Sequence, residues 1–169
     1  MIPYYKDEDI VNKISFRKAI DIIESTFIDY VKEKSRMPKK IYLDLPEFSG
    51  DFRAMPAYDP RYKVAGLKWV NSHVKNQMKN IPSVSALLIL NKPETGQPLA
   101  IFEAAYLTAL RTGAAGAVAV KYCTDPGVSS LAFIGAGVQA RFQFDCISQI
   151  REIKNVSIYD VNRHSAQLF

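Results

Sequence analysis

The sequence predicts a mixed α/β chain, with an amino-terminal α+β region followed by the opening β-α-β unit of a parallel-sheet domain. Three observations carry this. Apolar residues recur at helical spacing from Ser15 to Val31, then alternate with a period of two in short runs between Lys40 and Phe102. A helical stretch of small residues follows from Ala104 to Tyr122. After it, Leu131–Ile134 is a short continuous apolar run, as expected of a buried parallel strand, and it feeds directly into Gly135-Ala136-Gly137-Val138-Gln139-Ala140.

In the first helix Phe16, Ile20, Ile23, Phe27 and Tyr30 form one stripe, and Ser15 stands where a cap belongs. Lys40–Leu45 alternates and reads as a strand, and Pro46–Asp51 reads as a turn. Phe52–Met55 returns as a second strand, which Pro56 is expected to interrupt because proline cannot donate to a ladder. A third strand, Tyr62–Asn71, places Tyr62, Val64, Gly66, Lys68 and Val70 on one face and Ala65, Leu67 and Trp69 on the other. Both faces are largely apolar, which suits a central strand. Lys68 therefore points into a mostly buried surface, where an ammonium needs a partner or loses its proton.

Ser85–Leu90 and Leu99–Phe102 are two further strands, joined as a hairpin through the turn-forming run Asn91–Pro98. Within the small-residue stretch, the Arg111-Thr112-Gly113 step is expected to end one helix and start another, with Thr112 as the cap. Thr124–Ser130 reads as a linker, so the expected division is a first domain over 1–123, a linker over 124–130 and a second domain from 131 to 169.

Composition excludes several classes. With 48% hydrophobic, 23% charged and 11% aromatic residues, the chain is neither disordered nor collagen-like. The amino terminus turns acidic at Asp7-Glu8-Asp9 where a signal peptide needs an apolar stretch, and Gly113–Val120 is too short to span a bilayer. No membrane partner and a cytoplasmic location are expected. Cys123 and Cys146 have no C-x-x-C spacing and read as reduced core thiols, and His73 and His164 are too far apart to suggest a metal site. The net charge is +5, but the densest basic stretch, Lys32, Lys34, Arg36, Lys39 and Lys40, follows a helix and carries no interleaved aromatics. It reads as a solvated helix end, and no nucleic-acid partner is expected.

The glycine-rich turn has the G-x-G-x-x-A form of a dinucleotide fingerprint. Gly135 permits the tight turn, Gly137 lets the backbone approach a pyrophosphate, and small Ala140 lets the helix pack closely on the strand. Ala136, Val138 and Gln139 complete the turn and open the helix, whose free N–H groups favour an anion. Ala140, Phe144, Ile147 and Ile150 then form an apolar helical stripe. Asn155–Asp160 reads as a second strand ending in an acid, 20 residues past Ala140, where a Rossmann domain places the carboxylate that binds the adenine ribose. A carboxylate at Asp160 repels a 2′-phosphate, which favours NAD. Arg163 could pair with such a phosphate and leaves NADP open.

With these residues in view, essentially the whole chain resembles the ornithine cyclodeaminase and mu-crystallin family, which includes archaeal alanine dehydrogenases and ketimine reductases. The resemblance is carried by Arg53-Ala54-Met55-Pro56-Ala57, Gly66-Leu67-Lys68-Trp69-Val70-Asn71, Asn91–Gly96, Leu107–Ala115 and Gly135–Arg141. It implies that Arg53 and Lys68 bind a substrate carboxylate, that Arg111 and Thr112 face the cofactor phosphates, and that Ser83 lies near the nicotinamide. Read without the family, Arg53 is an ordinary surface ion-pair residue, Thr112 a helix cap and Ser83 a turn hydroxyl.

The resemblance further implies a homodimer formed through the first domain. It implies an NAD-dependent oxidoreductase acting on a small amino or imino acid, alanine-dehydrogenase-like. Two alternatives stay open: an ornithine cyclodeaminase and a non-catalytic ligand-binding protein of the mu-crystallin kind. The family's acid or base is an aspartate from a later part of the dinucleotide domain than Phe169. The chain is therefore expected to be a fragment that does not turn over alone and exposes apolar surface around Leu131–Ile134 and Val156–Ile158.

Overall fold

The computed structural model describes every residue except Asn12. Contacts group the chain into two compact units: Met1–Lys13 with Thr26–Leu107, and Ile14–Ser25 with Thr108–Phe169. Two of the three boundaries, at Ser25/Thr26 and Leu107/Thr108, fall within long helices, and the third, at Lys13/Ile14, precedes a helix. Contact therefore divides the chain ahead of the composition change at 124–130.

The first unit is built on six strands, β1 (Tyr4–Tyr5), β2 (Ile41–Leu45), β3 (Gly50–Asp59), β4 (Val64–His73), β5 (Ala86–Asn91) and β6 (Pro98–Glu103), in the order β1-β6-β5-β4-β3-β2. Neighbours are antiparallel except β1, which runs parallel to β6. The hairpin expected through 91–98 forms, with Gly96 at φ +72° and the Asn91 amide donating to its carbonyl at 2.9 Å.

β3 and β4 differ from the expected Phe52–Met55 and Tyr62–Asn71 at both ends. β3 runs through Pro56 to Asp59. Tyr58 turns its N–H and C=O away from β4, exchanging bonds of 2.8 and 2.9 Å with Arg36, and Pro56 shares that orientation because it sits two residues away. β2 pairs only as far as Ala54. Pro56 thus falls between two pairing partners, and no ladder bond is lost. The next strand starts at Val64 and not at Tyr62, since Lys63 takes a left-handed φ of 49° in the tight connection.

One sheet face carries the small core of this unit: Val70, Ala86 and Ala104, with Met55, Leu88 and Leu107 packed on them. The opposite face is apolar yet more open. There Phe52 stacks on Trp69 at 5.3 Å, while Trp69, Leu87 and Ile41 keep 36%, 40% and 68% of their surface exposed.

Two helices precede β2, the short α1 (Asp7–Ile10) and α2 (Phe16–Val31), and α2 begins as expected, with the Ser15 hydroxyl oxygen accepting the Lys18 amide at 3.2 Å. Ile20 on its apolar stripe is 1% exposed, a burial that contributes roughly 2 kcal/mol. The expected break at Arg111-Thr112-Gly113 is absent: α3 runs unbroken over Ala105–Cys123. Its amino terminus is capped from far away in sequence, by the Asp7 carboxylate, which accepts the Tyr106 N–H at 3.2 Å. Thr112 is therefore no cap. Its hydroxyl donates back to the Thr108 carbonyl at 2.6 Å, as mid-helix threonines do.

Gly113 serves proximity and not termination. A Cβ there would lie 2.4 Å from the Phe142 carbonyl oxygen and 3.1 Å from the Cys146 sulfur, itself wholly buried. Alanine would gain about 1 kcal/mol of helix propensity, but backbone cannot yield to such an overlap, which costs roughly 1–3 kcal/mol. Gly113→Ala is thus expected to lower the denaturation midpoint; a raised midpoint would show that this approach is not tight.

The rest of the second unit is β7 (Ser130–Ile134), α4 (Val138–Ile147), β8 (Asn155–Tyr159) and α5 (Arg163–Gln167), with β7 and β8 parallel and in register from Ser130↔Asn155 to Ile134↔Tyr159. The β-α-β unit read from the sequence is present. Apolar exposure concentrates at strand ends, with Ile134 93% exposed, whereas Leu131, Phe133 and Ile158 are half-buried. Phe169 accounts for part of this, its ring lying 5.4 Å from Phe133 and 6.1 Å from Phe144. Of the two thiols expected in the core, only Cys146 is buried, and desolvation pushes its pKa up to about 11. Cys123 closes α3 and is exposed. Among the described residues no helix is long and apolar enough to cross a membrane.

Candidate functional site

In the first unit, strand alternation and register bring Arg53 and Lys68 to one face. Arg53 pairs with Val70 across β3–β4 and Lys68 with Met55, so the two cations are diagonal neighbours. Such neighbours stand about 7–8 Å apart, within reach of long side chains. Lys68 is half-buried beside Met55 and Leu88 and is engaged with other groups of the chain, in line with the need for a partner.

Arg53 is held on two sides. Asp51 takes its Nε and Nη2 at 2.6 and 2.8 Å, and Tyr42, directly across on β2, presents its ring 5.5 Å from the guanidinium carbon. These hydrogen bonds hold the Asp51 carboxyl below the usual aspartate range, against the opposing effect of desolvation, and raise the Arg53 pKa. Sequence reasoning missed Asp51. The signal was present, since residues i and i+2 of opposite charge on a strand share a face. Ser83 belongs to the same unit, and its Oγ is buried with no hydrogen-bond partner among the described residues.

In the second unit the turn between β7 and α4 has the geometry its glycines predict. Gly135 adopts φ +102°, closed to ordinary L residues, and its N–H donates to the Tyr159 carbonyl at 2.7 Å. Gly137 is the extended residue before α4, where no side chain caps the helix, and nothing lies within 4 Å of a Cβ placed on it. No protein packing explains that glycine. Ala140 is buried against the unit, as expected of the small third position. Ala136 is buried too, while Val138 and Gln139 face outward.

Asp160 sits at the carboxyl end of β8 and ties the turn down, its Oδ2 accepting the Ala136 N–H and its Oδ1 the Asn162 N–H, both at 2.8 Å. These two backbone bonds lower its pKa. The carboxylate is therefore ionised at neutral pH, and its hold on the turn fades only as pH falls through that depressed range. Asp160 and Arg163 line one recess of about 610 Å³ with Tyr159, Ala166 and Gln167. Arg111 lies at the surface of α3 yet is desolvated enough to pull its pKa below the usual arginine range. Thr112 adjoins it, but its single proton is spent on Thr108, so the hydroxyl must turn to serve a phosphate. A glycine turn open to the outside, an uncapped helix start and a fixed carboxylate fit a dinucleotide.

A family model for the ornithine cyclodeaminase/mu-crystallin family matches residues 5–169. The chain belongs to this family. It is 46% identical over 162 residues to the alanine dehydrogenase of Archaeoglobus fulgidus, covering 96% of the chain and 49% of that protein. It superposes with a TM-score of 0.93 and 44% identity on an archaeal alanine dehydrogenase dimer with bound NAD, covering 99% of the chain and 51% of that structure. The Thermococcus litoralis Δ1-pyrroline-2-carboxylate reductase, solved with NADH and L-proline, gives a TM-score of 0.96 at 33% identity, with 99% and 52% covered. The chain spans about half the length of the relatives it matches.

Proposed function

We propose that a protein carrying this chain is an NAD-dependent amino- or imino-acid oxidoreductase of the alanine dehydrogenase type. The observation that carries the reading is the placement of Arg53 and Lys68 as diagonal neighbours on one largely apolar sheet face. A forked guanidinium and an ammonium with low-dielectric surroundings suit a carboxylate. The second unit's open glycine turn and the ionised Asp160 support NAD over NADP, because the carboxylate accepts ribose hydroxyls and repels a 2′-phosphate. The relatives solved with NAD or NADH agree. On this reading the functional boundary lies at 124–130, Ser83 serves the nicotinamide side, and Arg111 and Thr112 serve the phosphates.

NAD⁺ held by the Gly135–Ala140 turn and Asp160 would supply the hydride acceptor for the substrate Cα. The chain's own groups orient the carboxylate by charge and fork geometry, and the apolar neighbours Met55, Val70 and Leu88 keep water from weakening those contacts. Loss of hydride and a proton converts an amino acid to an imine, which water hydrolyses to a keto acid and ammonia. A homodimer is part of the proposal: Ile41, Trp69 and Leu87 form an exposed apolar row on the face opposite Arg53, and one relative is a dimer.

The test is to incubate the full-length protein that carries this chain with NAD⁺ and L-alanine or L-ornithine while following NADH absorbance and ammonia. NADH with pyruvate is the expected result. Ammonia from ornithine without net NADH would replace the reading with cyclodeamination, and cofactor binding without turnover would replace it with a binding role.

A further inference from the structure

A guanidinium offers two forks, a side edge of Nε and Nη2 and an end edge of Nη1 and Nη2. In Arg53 the side edge is filled by both oxygens of Asp51, and Nη1 donates to nothing among the described residues. Along β3, Asp51 lies two residues to one side of Arg53. Met55, whose cross-strand partner is Lys68, lies two residues to the other. A carboxylate and an ammonium thus flank the guanidinium on one face, with Tyr42 stacked on it from β2.

We infer that Asp51 is the positioning residue of the clamp: it holds the Nε edge so that the Nη1/Nη2 fork, beside Lys68, is presented to the carboxylate of an amino, imino or keto acid. The inference rests on the carboxylate-binding role proposed for Arg53 and Lys68. An arginine side chain is long and rotamer-rich, and the fork is useful only if it is held in one orientation before the ligand arrives. The competing arrangement, in which Asp51 is a stand-in that substrate must displace, predicts the opposite sign. Removing a placeholder tightens binding, whereas removing a positioner weakens it.

The experiment compares the parent protein with Asp51→Asn and Arg53→Lys. Asp51→Asn is expected to raise the KM for L-alanine and the Kd for pyruvate roughly tenfold, with kcat much less affected and NAD⁺ affinity unchanged. Unchanged or tighter binding overturns the inference. Arg53→Lys keeps the charge but loses the fork and separates the two levels. If it leaves both constants alone, the clamp itself is wrong and the role of Asp51 falls with it; if it raises them while Asp51→Asn does not, only the role of Asp51 falls. A second readout needs no variant that must fold. In the parent, the Arg53 Nε–Hε resonance should persist when pyruvate is added while the Nη1 signals shift. Loss of the Nε contact on binding means displacement of Asp51 and overturns the inference.

Discussion

In a titration with NAD⁺, Gly137→Val is expected to bind at least about a hundredfold more weakly than the parent, a loss of roughly 2.7 kcal/mol, while the unfolding transition moves little. The two halves of this expectation have separate causes. Gly137 has φ −78° and ψ −175°, extended backbone that valine adopts readily, and a Cβ there meets no protein atom within 4 Å. The stability cost is limited to a poorer residue at the helix start, about 1 kcal/mol. The space beside Gly137 is, however, where a pyrophosphate must approach the uncapped N–H groups of α4, and each charge-assisted bond withheld costs about 1.5–3 kcal/mol. Equal NAD⁺ affinity in the variant would remove the dinucleotide from this turn.

Lys68→Met should cut kcat/KM for the amino acid by about 10²–10³ without altering NAD⁺ affinity. The substitution keeps an unbranched side chain of similar size among Met55, Val70 and Leu88, so packing changes by less than about 1.5 kcal/mol. Removed are the positive charge and its donors: a charge-assisted bond of about 1.5–3 kcal/mol, and any share that lysine has in proton transfer, a further factor of up to about 10²–10⁴. The low end of the expected range corresponds to binding alone. An undiminished kcat/KM in the methionine variant would place the substrate carboxylate elsewhere and leave Arg53 as the surface ion-pair residue that its charge alone suggests.

Local pattern was a good guide where chemistry is local. The β-α-β unit, the glycine turn and Asp160 were all legible, because a tight turn, a close approach and a strand-end acid each restrict the residue type at one place. Misreadings arose where a residue's meaning depends on a distant neighbour. Pro56 breaks a strand only if its missing donor faces a partner, and the register of β2 decides that it does not. Gly113 looks like a helix breaker until Phe142 is found against it. Asp7 caps α3 across 99 residues, a contact no window reaches. The two-residue β1 is too short to carry a period at all. Asp51 is the exception: two residues from Arg53 it is legible as a same-face partner of opposite charge, although the turn-forming run Pro46–Asp51 ends on it.

The unequal fates of the two thiols have a practical side. Cys146 is sealed within the second unit with its proton held up to a pKa of about 11, so almost none of it is thiolate at neutral pH, whereas Cys123 ends α3 in the open. A maleimide fluorophore or spin label will therefore attach at a single position of the unmodified chain. Its signal gives a direct spectroscopic view of the carboxyl end of α3 as NAD⁺ is added, with no engineered cysteine and no background site to remove.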